Sequence, residues 1–336
     1  MILKPFEMYE LTLGLKALKK RLPSKHEKFQ QINDDLNKQE AGDLAEKKVM
    51  DKLTSSQLPK NHVVLHNVSF ISKVETQIDV LVISPSWCLI MEVKNWNGSL
   101  FFSDHPSQVV CQKDGIERVY TNPESQIEQY MFGLNSLFEA YRIKIPIYGL
   151  IVFPFNNAAI KKPPTKFPVK VGNEYLRYLW SLQINKNYAD PLKLGEILIS
   201  RHEQWNKFPL CDYYGIDKMH IVEGVECPQC GTIPMQRMTR TWYCTHCDRF
   251  SMKAHEKALK DYGMLISNTI SMQETLRFLR LRNRYEAKRM IQANSIGRIG
   301  ARKSTTYVLS DNNKKRQAPS IASNRPQMEA SALNRE

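Results

Sequence analysis

The chain lacks any apolar run near the ~18 residues that a membrane span needs. Its first residues, Met1-Ile2-Leu3-Lys4-Pro5-Phe6-Glu7, carry charges where a secretory leader would place its apolar core. No membrane partner is expected, and the cytoplasm is the expected compartment. Acidic residues are few relative to basic ones. Over 336 residues, 34 Asp and Glu face 48 Lys and Arg, a formal net charge of +14 at pH 7. That imbalance points to a polyanionic partner, nucleic acid or an anionic surface, through steering and counterion release. Cysteine is sparse. Of seven, four form two CxxC pairs while Cys88, Cys111 and Cys211 are scattered, which argues against a disulfide framework and for reduced thiols with one metal site. The rest is an ordinary globular composition, 42% apolar and 24% charged, in a chain long enough for two or three domains.

The chemistry concentrates in one segment. Ile78-Asp79-Val80-Leu81-Val82-Ile83 and Trp87-Cys88-Leu89-Ile90-Met91-Glu92-Val93-Lys94 are β-favouring runs on either side of Pro85-Ser86, where proline suits the second position of a tight turn. A hairpin centred there sets Asp79 opposite Glu92, and the period of two along a strand puts Lys94 on the face of Glu92. Opposed carboxylates repel unless a cation lies between them. An oxygen-rich site of this kind suits Mg²⁺ or Mn²⁺, with Lys94 beside the bound water or phosphate. The plain alternative is a solvated edge on which Lys94 neutralises Glu92. A one-residue slip in register would part the two acids.

Around the hairpin, residues 1–37 read as a basic helical segment. A second helix from Leu36 to Leu53 is supported by Ala41, Ala45, Val49 and Leu53, with Glu46 beside that stripe. Val63 to Val68 reads as a strand, and Asn97-Gly98 as a turn into Ser99-Leu100-Phe101-Phe102. Asn122-Pro123 opens an amphipathic helix to about Tyr141, with Ile127, Met131, Leu134 and Phe138 inward, and Ile145 to Phe153 is a buried strand. Helices around one sheet make this an α/β arrangement. Further helical stretches lie at Tyr175–Leu182 and Pro191–Trp205.

Cys227-Pro228-Gln229-Cys230-Gly231 and Cys244-Thr245-His246-Cys247 are two knuckles separated by thirteen residues. Thiolates at that spacing close a tetrahedral, structural Zn²⁺ site through Cys227, Cys230, Cys244 and Cys247, and such a site folds a module without catalysing anything. His246 is a possible ligand made redundant by four thiolates. Between Lys253 and Arg316 stand fifteen Lys or Arg and five Asp or Glu, so most of the excess charge lies there. Ser271 with Glu274 marks a capping-box helix start, Leu276 and Leu279 give that helix an apolar face, and Arg280 to Asn283 breaks it. Tyr285 to Ala293 reads as a second helix, with Ala287, Met290 and Ile291 inward and Arg284, Lys288 and Arg289 outward. Gly300 to Leu309 resembles the basic β-wing of a helix-turn-helix module, although no glycine marks the turn between the helices. Arg282, Arg284, Lys288, Arg289, Arg302 and Lys303 are its candidate nucleic-acid contacts. The plain alternative is a basic helical hairpin packed against its neighbour.

Gly42-x-x-Ala45-Glu46, Gln77-Ile78-Asp79, Glu92-Val93-Lys94-Asn95-Trp96-Asn97-Gly98 and Asn122-Pro123-x-x-Gln126 together resemble the NERD (nuclease-related) domain. That domain is similar to the PD-(D/E)xK restriction-endonuclease-like nucleases, and the resemblance covers about residues 38–155. Gln126-x-x-x-Tyr130 also resembles the QxxxY element of exonuclease-type members, and one helical turn sets those side chains on one face. Ala45 stands where the family usually has glycine. The resemblance implies a restriction-endonuclease-like mixed sheet flanked by helices, to which the cysteine knuckles and the basic C-terminal segment add a small zinc ribbon and an α-helical, winged-helix-like module. The expected organisation is a basic helical segment at 1–37, the nuclease-like domain at 38–160, a helical extension at 161–222, the Cys₄ ribbon at 223–250, the basic DNA-binding module at 251–310 and a disordered tail at 311–336.

By that resemblance Asp79, Glu92 and the Val93 carbonyl would hold Mg²⁺ or Mn²⁺, and Lys94 would hold the attacking water or stabilise charge on the phosphorane. Glu46 would hold a metal-bound water or a second cation, while Gln126 and Tyr130 would position the phosphate or the lysine. The expected function is metal-dependent hydrolysis of DNA, with RNA open as a substrate. Two alternatives stand beside it: a non-enzymatic DNA-binding protein, and a transcription-type regulator built on the ribbon and winged helix. Cleavage with Mg²⁺, Mn²⁺ and EDTA separates the first alternative, and tight sequence-specific binding marks the second. Oligomeric state is not encoded in any motif.

Overall fold

Alternating apolar residues from Val63 to Val93 build the middle of a sheet, and the elements around it follow in chain order. They are β1 (Ile2–Lys4), α1 (Glu10–Arg21), α2 (Phe29–Ser55), β2 (Val63–Ile71), β3 (Glu75–Ile83), β4 (Cys88–Val93), β5 (Gly98–Asp104), β6 (Ser107–Lys113), β7 (Ile116–Thr121), α3 (Pro123–Ala140), β8 (Ile147–Phe153), β9 (Ala158–Lys162), β10 (Val169–Val171), α4 (Glu174–Ser181) and α5 (Pro191–Ser200). This computed structural model describes residues 1–56, 58, 61–204, 207–301 and 305–309. Met1–Lys207 and Phe208–Glu336 are separate compact units.

In the first unit, six strands form a mixed sheet in the order β1-β2-β3-β4-β8-β10, and β7-β6-β5-β9 form a second sheet. The antiparallel hairpin arm β3–β4 gives way to parallel pairing of β4 with β8 and of β8 with β10. Ala45, Val49, Met50 and Leu53 of α2 pack with Val64, Val80, Val82 and Met91, while Leu134, Leu137 and Phe138 of α3 pack with Leu65, Ile78, Leu81 and Ile90. The two helices therefore cover opposite faces of the sheet.

That inventory also exposes a crease. Leu65 and Val68 face the same side, as do Ile78 and Leu81, so the alternation changes parity between them. At the change, the β2–β3 ladder passes from His66↔Val80 to Val68↔Ile78 without pairing Asn67 to Asp79. Asn67 takes a left-handed φ of 47°, a region asparagine tolerates. Asp79 thus stands at the crease itself.

Helix α3 is seated by two close approaches. A Cβ at Gly133 would lie 1.9 Å from Thr76 Oγ1, and one at Gly149 would lie 2.4 Å from Ile127 Cγ2. Its start is fixed by Asn122, whose Oδ1 accepts the Glu124 N–H at 3.0 Å, with Pro123 in the first turn.

Several expectations change. The helix expected from Leu36 begins at Phe29, so the expected break after residue 37 falls inside one continuous helix. Residues 2–4 are a strand paired in parallel with β2, because the apolar Ile2 and Leu3 find an open sheet edge. The stretch expected to be a helical extension holds the end of β9, the strand β10, and helices α4 and α5, which pack into the cores of the first unit. The strands β6 and β7 were not expected from the sequence.

The second unit runs α6 (Leu210–Tyr214), β11 (Gln236–Arg237), β12 (Trp242–Cys244), β13 (Arg249–Ser251), α7 (Ala254–Leu265), β14 (Thr269–Ser271), α8 (Met272–Phe278), α9 (Arg284–Ala293), β15 (Gly297–Ile299) and β16 (Thr306–Val308). β11-β12-β13 form a small sheet at the cysteine knuckles, and β14-β16-β15 form another. Helix, strand, two helices and two strands is the order of a winged helix. The capping box at Ser271 and Glu274 is present, and Ala287, Met290 and Ile291 are the buried face of α9. The glycine missing from the inter-helix turn is replaced by Arg280, which adopts φ 53°, and Asn283 caps α9 through the Tyr285 N–H. Arg302, Lys303 and residues 311–336 lie outside the described residues.

Candidate functional site

The hairpin expected at Pro85-Ser86 forms in the expected register, from Ile83↔Cys88 to Val80↔Met91. Ser84 closes its turn, accepting the N–H groups of Ser86 at 3.1 Å and Trp87 at 2.9 Å on Oγ. The ladder stops one residue short of the Asp79–Glu92 position. There Asp79 Oδ2 accepts the Val93 N–H at 2.9 Å, so a side chain takes over where the backbone pairing ends.

Glu92 is not on a solvated edge. β4 lies between β3 and β8, and Glu92 is 1% exposed. Its Oε1 accepts from Lys94 Nζ at 2.5 Å. Its Oε2 is buried with no hydrogen-bond partner among the described residues. A buried carboxylate oxygen without a donor is costly, and a bound cation is one partner that would relieve it.

Two helices complete the cluster from opposite faces. Glu46, read from sequence beside an apolar stripe, is buried on α2, and its Oε2 accepts from Tyr9 Oη at 2.8 Å and from His66 Nε2 at 2.9 Å. Gln126 and Tyr130 stand one turn apart on α3, and Tyr130 feels the charges of Glu92 and Asp79. Asn95 Nδ2 donates to the Ala41 carbonyl at 2.7 Å and ties the segment after Lys94 to α2.

The electrostatics are those of an acid cluster short of cations. Burial raises Glu92 to about 8, with Asp79 adding to the rise and Lys94 opposing it. Burial raises Glu46 to about 8 against the Tyr9 hydrogen bond, with Asp43 and Glu92 adding. Asp79 rises to about 7 by burial and by Glu46, against Lys94 and the Val93 N–H. Lys94 loses proton affinity to burial, yet Glu92, Asp79 and Glu46 together raise it above its ordinary value. One lysine faces three acids that would rather stay protonated than share it. A divalent cation would remove that mismatch. Burial and Lys4 lower His66 to about 4, so its ring is neutral; opposite an ionised Glu46 its Nε2 is the donor, while Nδ1 has no partner among the described residues.

Tyr9 and His66 are the residues that sequence reading missed. The signal available was His66 itself, polar inside the apolar run Val63 to Val68. Glu124 is another buried acid outside the expected set. Its Oε1 accepts the N–H groups of Lys166 at 2.6 Å and Phe167 at 3.0 Å, which clamps that segment to the start of α3.

In the second unit, the sulfurs of Cys227, Cys230, Cys244 and Cys247 lie within 4.8 Å of one another. Gly231, at φ 73°, turns the first knuckle so that its N–H reaches the Cys227 carbonyl at 2.9 Å. Four converging thiols suit a structural metal and are compatible with a zinc ribbon. His246 is exposed and contributes no ligand to the cluster. Beside it, Trp242 is fully buried and donates from Nε1 to His255 Nδ1 of α7 at 3.2 Å. On the winged-helix side, Arg282, Arg284, Lys288 and Arg289 are all exposed, and Arg298 on β15 joins them.

Fold and site together are those of a mixed α/β domain with a clustered acid–lysine centre, followed by a cysteine-knuckle module. Residues 41–154 match the family model of the nuclease-related domain (NERD). Comparison with curated proteins and with solved structures gives no match. Among the described residues, no helix is long and apolar enough to cross a membrane.

Proposed function

We propose that the protein is a metal-dependent nuclease of the PD-(D/E)xK kind, hydrolysing phosphodiester bonds in DNA. The observation that carries this reading is the partnerless, buried Glu92 Oε2 among three acids that share one lysine. Asp79, Glu92 and the Val93 carbonyl would hold Mg²⁺ or Mn²⁺, which supplies Lewis-acid charge at the phosphoryl group and a more acidic water. Lys94, fully protonated beside Glu92, would donate to the attacking water or to the phosphorane oxygens. Glu46 would accept a proton from that water or help neutralise a second cation. Gln126 and the Tyr130 hydroxyl, neutral because burial and the two acids hold its proton on, would orient the phosphate or Lys94. A ribbon bound to Zn²⁺ would fold the module that brings DNA to this site.

Asp79→Ala and Lys94→Ala are each expected to abolish Mg²⁺-dependent cleavage while keeping the circular-dichroism spectrum of the folded chain. Undiminished cleavage by either purified variant removes the hairpin from the mechanism. Cleavage measured on single-stranded, duplex and branched DNA and on RNA, with Mg²⁺, Mn²⁺ or EDTA, fixes the substrate.

The winged-helix order and the basic outer face of α9 favour a second reading, a DNA-binding regulator that does not cut. It predicts sequence-specific affinity and no cleavage in any metal. Under either reading, Lys288→Glu with Arg289→Glu should weaken DNA binding. If both side chains sit on phosphates, each lost contact lowers the salt slope by about 1. An unchanged slope in a fluorescence-anisotropy titration places the DNA contacts elsewhere.

A further inference from the structure

The family match begins at residue 41, yet Tyr9, a hydrogen-bond partner of the acid cluster, lies before it. The polypeptide from Met1 to Tyr9 lies along β2 as a strap. β1 pairs with Val64 and Leu65, Lys4 Nζ donates to the carbonyls of His66 and Asn67 at 2.8 Å each, and the Phe6 ring lies 4.8 Å from the His66 ring. Tyr9, the last residue before α1, sets its ring edge-on to His66 at 5.9 Å and donates its hydroxyl to Glu46. Two donors from segments 37 and 20 residues away thus meet on one oxygen, Glu46 Oε2.

Resting on the metal-nuclease reading above, we infer that Tyr9 and His66 are positioning residues that commit Glu46 Oε2 and leave Oε1 as the oxygen presented to the cation or its water. Three features support this. The bonds are made within a buried pocket, where a lone carboxylate would otherwise rotate to find water. No other donor among the described residues is paired with Glu46. Lys4 and Phe6 hold the His66 backbone and ring, so the donor is itself fixed by the strap. Partners of this kind typically change metal affinity or activity by about 10–100-fold when removed. The strap, outside the matched nuclease-related segment, is then part of the metal site.

The test uses the full-length chain with Mn²⁺ as the probe. Mn²⁺ half-saturation is read by electron paramagnetic resonance, alongside kcat and KM on DNA. Tyr9→Phe removes only the hydroxyl and is expected to raise Mn²⁺ half-saturation by at least ~10-fold and to lower kcat with KM for DNA unchanged. His66→Leu should do the same, and His66→Gln, which keeps a donor at the Nε2 position, should recover much of the loss. Combining Tyr9→Phe with Glu46→Gln should cost no more than Glu46→Gln alone, because both act through one carboxylate.

A merely structural tyrosine would lower Tm and leave Mn²⁺ half-saturation and kcat at wild-type values. That result overturns the positioning role while the metal reading stands. Independent, additive losses in the double variant overturn it too. If the unmodified chain binds no Mn²⁺, the metal reading falls first, and the positioning role falls with it.

Discussion

Glu92→Gln is expected to abolish metal-dependent cleavage and, in the metal-free protein at pH 9, to raise Tm. The two outcomes look opposed and have one cause. Burial pushes Glu92 to about 8 even after the attraction of Lys94 is included, so the ionised carboxylate is a net burden on the metal-free fold. A glutamine keeps an oxygen for Lys94 and removes the charge.

The same reasoning fixes the pH dependence. Asp79 at about 7, and Glu46 and Glu92 at about 8, all lie above the unfolded-chain values of roughly 4. The folded state therefore holds protons that the unfolded state has lost, and stability falls as pH rises between those limits. This contribution is fully present below about pH 4 and is gone once pH passes through 7 to 8. Metal binding needs the deprotonated acids, so it strengthens across the upper part of that window and releases protons. With Mg²⁺ at 100 times its Kd the wild-type chain should gain about 2.7 kcal/mol, and the variant should gain none. Scanning calorimetry at pH 5, 7 and 9 with and without Mg²⁺ reads all of these. A variant that melts below wild type at pH 9 and still gains stability from Mg²⁺ contradicts the arrangement.

Cys244→Ser should have the larger effect on folding, and on the second unit alone. Binding of a structural Zn²⁺ by small cysteine modules is worth about 10–16 kcal/mol at pH 7. The β11-β12-β13 sheet is too small to stand on its core without it. Cys244 is the last residue of β12, two positions from Trp242, whose indole N–H donates to His255 on α7. Losing the metal should therefore loosen the start of the winged-helix region as well as the ribbon. Proteolysis should open the chain within residues 223–250, metal analysis should fall from one zinc per chain towards zero, and DNA affinity should drop. Wild-type protein with less than one zinc per chain, or a protease-resistant Cys244→Ser chain, would sink the closed four-thiolate site.

Local signals were readable wherever one element decides its own geometry. The turn at Pro85-Ser86 set the register of β3 and β4 because residues close in sequence make that pairing. Ser271 and Glu274 wrote the start of α8, and the apolar spacing of Ala287, Met290 and Ile291 wrote the buried face of α9. Convergence from afar was not readable. Glu46 looks like a helix-surface charge until β2 and the strap close over it, since neither Tyr9 nor His66 is its neighbour in sequence. The crease at Asn67 and Asp79 was hidden for a related reason. Each strand alone alternates well enough, and only their common side-chain inventory reveals the change of parity. β6 and β7 escaped notice because β7 is almost wholly exposed and carries little apolar alternation.

The clamp at Glu124 has a mechanical meaning. By gripping the amides of Lys166 and Phe167, it makes the cationic stretch Lys161-Lys162 to Lys166 ride with α3, the rod that bears Gln126 and Tyr130. A pull on those lysines would tug the rod's leading end, so load applied there would reach the helix that carries Gln126 and Tyr130.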